Sequence, residues 1–156
     1  MSPMMVTVAA TALPGQIWRD DCYDLNRATG ECQRKYLLVL AVDPRSADVV
    51  TVVFTSKPNG LVEQPACNQG PPRAGHFVGA PGGALTQPTW VDFNSLQDLD
   101  AGDMTRLQRS GRMSLQQQSL PTPLLCAVLR CLLQYDDLTG RQARLVGDVV
   151  AALHCP

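Results

Sequence analysis

The sequence predicts a mainly β protein with its helices gathered at the C-terminal end. Three observations carry that reading. Residues 36–42 and 49–54 are short apolar runs rich in β-branched side chains, and residues 43–48 between them supply Pro44 and aspartates to a turn. A strand-like start at Gln16-Ile17-Trp18-Arg19 precedes this hairpin and Thr89-Trp90-Val91-Asp92-Phe93 follows it, with no helical pattern between, which favours an antiparallel meander over alternating strands and helices. Broad apolar helical faces begin only after Asp100.

Taken in order, residues 4–12 read as a loose leader or an edge strand, ended by Pro14-Gly15. Residues 20–33 read as a polar loop in which Asn26, Thr29 and Gly30 are turn formers. Residues 58–83 are crowded with proline and glycine and read as irregular backbone, with a short strand centred on His76-Phe77-Val78. Asp100 can cap a helix over residues 101–108, which Ser110-Gly111 ends. Hydroxyls and prolines at 119–123 open a second helix carrying Leu124, Leu125, Val128, Leu129, Leu132 and Leu133. A third, over residues 140–153, spaces Leu145, Val149 and Leu153 four apart. The domain organisation expected is a leader at 1–13, one domain at 14–134 and a helical extension at 135–156, since 156 residues accommodate a single sizeable core.

An apolar fraction of 45% with 17% charged residues is that of a folded globular chain. The formal net charge of -1 gives no global basic signature, so a nucleic-acid partner has to be met by a local cluster. No apolar run is long enough to span a bilayer and the first residues lack a basic segment, so a cytoplasmic protein without a membrane role is expected. The cysteines at 22, 32, 67, 126, 131 and 155 contain no Cys-x-x-Cys pair, and with no secretory signal they are expected to be reduced thiols. Neither they nor His76 and His154 have ligand spacing, so no metal and no cofactor are expected.

The chemistry-bearing cluster is at the ends of the central hairpin. Arg34 and Lys35 lead into its first strand and Thr55, Ser56 and Lys57 follow its second, so the hairpin brings cations near hydroxyls. Charges beside an apolar strand also guard it against aggregation, and hydroxyls at a strand end also serve turns. Successive strand residues point to opposite faces, so Arg34 and Lys35 do not serve one site equally. Arg73 and Lys57 flank the long loop as phosphate contacts, and His76 within it is a candidate proton shuttle. Trp18 and Trp90 read as core, with base stacking as the alternative use.

Several stretches in order resemble the MazF/PemK-like toxins of type II toxin-antitoxin systems. They are Gly15-Gln16-Ile17-Trp18, Gly30-Glu31 followed by Arg34-Lys35, Phe54-Thr55-Ser56, Thr89-Trp90-Val91-Asp92, Leu96, Arg106-Leu107 and Gly111-Arg112-Met113-Ser114. The resemblance runs from about Pro14 to Leu133. It implies an SH3-like small β-barrel of the MazF/PemK/CcdB kind over 14–134, usually a homodimer, paired with a small antitoxin protein and cleaving single-stranded RNA without metal. It puts the family's threonine on Thr55 and its arginine on Lys35, with Arg34 as the other position, and Glu31 as proton acceptor or orienter. Tyr36 stands where the family has proline, and lysine offers a point charge where arginine offers a planar fork. The rival readings are a non-catalytic topoisomerase poison of the same fold, as in the CcdB-like relatives, and a barrel retained as a protein-interaction module.

Overall fold

In the computed structural model, the described residues are 11–156. They form strands β1 (Gln16–Leu25), β2 (Cys32–Val42), β3 (Val49–Thr55), β4 (Cys67–Asn68), β5 (Gly75–Gly79), β6 (Thr89–Leu99) and β7 (Met113–Ser119), with helices α1 (Ala101–Arg109), α2 (Thr122–Leu132) and α3 (Gly140–Ala152). The strands make one antiparallel sheet in the order β4-β5-β6-β3-β2-β1-β7. β4 and β7 are its two edges and do not pair with each other, so the sheet is open and the expected barrel closure is not seen.

Strand alternation sorts the core into two clusters on opposite faces. Ile17, Leu38, Val52, Phe54 and Val91 point to a first face, where α2 and α3 bury Leu125, Leu129, Leu132, Leu145 and Val146. Trp18, Leu37, Val39 and Val53 point to a second, where Met104 of α1 and Met113 of β7 complete the packing. Each fully buried side chain of this size contributes about 1.5–3 kcal/mol, which explains why the central hairpin was legible from its apolar runs. The segment after 134 is part of the same core: α3 lies in the first cluster, and Arg141 reaches Asp43 at 2.8 Å and Asp98 at 3.4 Å.

Helix ends follow the sequence. Asp100 accepts from the N–H groups of Gly102 and Asp103, and Thr139 with Gln142 forms a reciprocal capping box. At β5, a Cβ on Gly75 would fall 2.4 Å from the Val91 carbonyl oxygen, so only glycine admits the close approach of β5 to β6.

The structure departs from or adds to the sequence reading in several places. The polar loop at 20–33 shrinks to residues 26–31, because β1 continues to Leu25 and β2 already starts at Cys32. Asp20 is buried by pairing with Arg112, which donates to its carboxylate at 2.7 and 3.0 Å, so a polar residue sits within a strand. β7, a run of Ser and Gln, has no apolar alternation beyond Met113 and Leu115 and is made a strand by its ladder with β1. The cysteines are not reduced: Cys22–Cys32, Cys67–Cys131 and Cys126–Cys155 are disulfides. Residues 1–10 of the expected leader lie outside the described residues, while Ala12 is buried in the second cluster.

Candidate functional site

A groove of about 380 Å³ lies where β2 begins and β3 ends, roofed by the segment from Ala84 to Thr89. Gln33, Arg34, Lys35 and Tyr36 line it from β2, and Phe54, Thr55, Ser56 and Lys57 from β3 and its exit. The hairpin register explains the gathering. Leu37 pairs with Val53 and Leu38 with Val52, so continuing the ladder outward sets Lys35 opposite Thr55. Alternation gives Lys35 and Thr55 the face of Leu37 and Val53, and gives Arg34 and Tyr36 the face of Leu38. Leu85, in the roofing segment, packs in the first cluster with Phe54. The groove therefore draws residues from both faces.

Its electrostatics are one-sided. Arg34, Lys35 and Lys57 bring positive charge, Thr55, Ser56, Thr86 and Thr89 bring hydroxyls, and among the described residues no carboxylate or histidine lines the groove. Arg34 is more than half exposed and donates from Nε to Asp21 Oδ1 at 3.1 Å; Arg19 lies 2.9 Å from the same oxygen. That shared carboxylate anchors the stem of Arg34 and leaves its terminal nitrogens for an anion. The Thr55 hydroxyl is engaged in a turn: it accepts from the Lys57 N–H at 3.1 Å and donates to the Lys57 carbonyl at 3.2 Å. This closes the strand end and holds Lys57 at the mouth.

The other expected site residues are not brought here. Glu31 is not among the residues that line the groove; it lines a neighbouring depression with Asp24, Asn26 and Cys32, and Gln33 belongs to both. Arg73 is tied to Asp92 at 2.8 Å, which fixes β5's entry against β6. His76 is buried, its Nδ1 donating to the Phe77 carbonyl at 2.8 Å; burial pulls its pKa below the ordinary value, against the opposing effect of that bond. Trp18 is 1% exposed with Nε1 donating to Gln16 Oε1, so it offers no ring face to a base. Trp90 is likewise core, tilted against Phe77 and donating to the Val62 carbonyl.

Sequence reasoning missed the roofing segment, since Ala84 to Gln87 carry no motif, and it missed Asp21 as the partner of Arg34, thirteen positions away across the β1–β2 ladder. It also missed the disulfides. Cys22–Cys32 staples the hairpin whose second strand leads into Arg34, Cys67–Cys131 ties β4 to α2, and Cys126–Cys155 ties α2 to the chain end beyond α3. An even cysteine count was the available signal, and only spatial proximity gives the pairing.

Fold and site thus define an open antiparallel sheet backed by helices, with a cationic, hydroxyl-rich groove across the ends of its central hairpin. No protein-family model, curated protein or solved structure matches the chain. Among the described residues, no helix is long and apolar enough to cross a membrane.

Proposed function

We propose that the groove binds the phosphodiester backbone of single-stranded RNA and that the protein is a toxin-type endoribonuclease on an incompletely closed SH3-like barrel. The observation that carries this is the meeting of Arg34, Lys35 and Lys57 with the Thr55 and Ser56 hydroxyls in a groove free of carboxylates. In the reaction the ribose 2'-hydroxyl attacks the adjacent phosphorus, forming the P–O2' bond and breaking P–O5', and leaves a 2',3'-cyclic phosphate and a 5'-hydroxyl. Lys35 and Arg34 stabilise the charge that builds on the phosphorane oxygens. With Glu31 outside the groove, the 2'-hydroxyl proton passes to water. The leaving oxygen takes its proton from water or from a groove hydroxyl.

The test is purified protein with a long single-stranded RNA in the presence of a metal chelator. Cleavage with cyclic-phosphate ends is expected, and it is lost in Lys35→Ala or Arg34→Ala. Three phosphate contacts predict binding whose log K falls with log salt at a slope of about −2. No cleavage by the wild type, or undiminished cleavage by both variants, refutes the catalytic reading.

One observation favours a second reading, a polyanion-binding module without catalysis: no proton acceptor lines the groove and the Thr55 hydroxyl is committed to its turn. Binding with the same salt slope and no cleavage would establish it. A homodimer and a small antitoxin partner belong to the toxin proposal. All six cysteines being paired fits an oxidising compartment, which favours the binding-module reading over a toxin acting on cytoplasmic RNA.

A further inference from the structure

A second cavity, of about 320 Å³, opens on the second face of the sheet beside Lys35. Asp20, the β1 residue paired with Lys35, and Leu37, two positions beyond it on the same face, both line this cavity, so its edge is about 7 Å along the strand from the proposed phosphate contact. Its size is at the lower end of the range for small-molecule sites. The half-buried Leu99 and Leu107 give it apolar walls over the buried Leu37, and Tyr23, Asp24 and Gln97 supply hydrogen-bonding groups. The Asp20 carboxylate at its floor is already taken by Arg112 at 2.7 and 3.0 Å, which leaves Asp24 as the free carboxylate. Tyr23 is held protonated by burial and by the neighbouring Asp24 and Asp20, so its hydroxyl remains a donor.

We propose that this cavity takes a nucleobase carrying an exocyclic amino group, laid against Leu99 and Leu107 with its N–H edge on Asp24 and Gln97. The proposal rests on the RNA reading of the neighbouring groove and adds base selection to it. Apolar walls suit a flat ring, while an anionic acceptor rewards adenine, cytosine or guanine. Uracil's one ring donor on that edge, N3–H, is flanked by two carbonyl oxygens that the carboxylate repels, so uracil is disfavoured. A chain whose phosphate lies at Lys35 thus has a neighbouring base within reach of the cavity.

The experiment uses the isotope-labelled full chain and free adenosine, cytidine, guanosine and uridine, which carry no phosphate and do not depend on the groove. Amide shifts centred on Tyr23, Leu37, Gln97 and Leu107 are expected for at least one amino-bearing nucleoside, with uridine about tenfold or more weaker. Gln97→Ala weakens the preferred nucleoside, and Asp24→Asn, which adds an N–H donor, narrows the gap to uridine. Absence of shifts with all four nucleosides, shifts located elsewhere, or equal affinity for uridine overturns the proposal. Separately, an abasic deoxyoligonucleotide should shift Arg34 and Lys35; its failure to do so counts against the groove and leaves the nucleoside result standing.

Discussion

Removing the disulfide Cys67–Cys131 by the paired change Cys67→Ala and Cys131→Ala is expected to be the most costly of the cross-link deletions. It joins residues 64 apart, against 29 for Cys126–Cys155 and 10 for Cys22–Cys32. In the chain-entropy description the cost grows with the logarithm of the closed loop, giving about 4, about 3.5 and about 2.7 kcal/mol in that order. Cys131 is also 2% exposed in the first cluster, so the lost sulfur leaves a packing deficit that adds to the entropic cost, whereas Cys32 is exposed and adds none. For a chain of this size, 4 kcal/mol corresponds to a fall in Tm of about 8–16 °C. Urea unfolding of the wild type and the three paired variants measures this directly, and the slope m should rise in each variant because the unfolded chain expands when a cross-link is cut. Two results would refute the reasoning: the unreduced, denatured wild type titrating as free thiols, or the loss of Cys22–Cys32 costing more than the loss of Cys67–Cys131.

Other expectations follow from single side chains. Thr55→Val removes both hydrogen bonds to Lys57 and should cost about 1 kcal/mol, with Thr55→Ser restoring it; equal stability of all three proteins would show that the turn does not depend on the hydroxyl. His76 has its folded pKa lowered from 6.5 by burial, so the unfolded chain takes up its proton first. Stability contributed by this group is therefore present above about pH 6.5 and is lost as pH falls from there toward the folded pKa, and His76→Gln should flatten that part of the curve of unfolding free energy against pH. An unchanged slope in the variant would remove His76 from the account.

The legible parts of the chain are those in which neighbours in sequence decide the outcome. The β2–β3 hairpin is visible because Leu37 to Val42 and Val49 to Phe54 are continuously apolar, and a strand buried on both faces needs no alternation. The cap at Asp100 depends on residues two and three positions away. The groove was half legible: that Lys35 and Thr55 share a face follows from strand parity, but the roof from Ala84 to Thr89 comes from a segment beyond a long irregular stretch.

By itself, then, the sequence determined a mainly β chain with three C-terminal helices and a cationic cluster at the ends of one hairpin, because periodicity, turn chemistry and capping act over a few residues. Only the tertiary structure decided that Trp18 and His76 are core, that Glu31 is not among the residues lining the groove, that Asp20 is buried against Arg112, and that the cysteines pair 22 with 32, 67 with 131 and 126 with 155. Each depends on which distant segments come within a few ångströms. That is fixed by how the two faces of the sheet are covered and not by any local pattern.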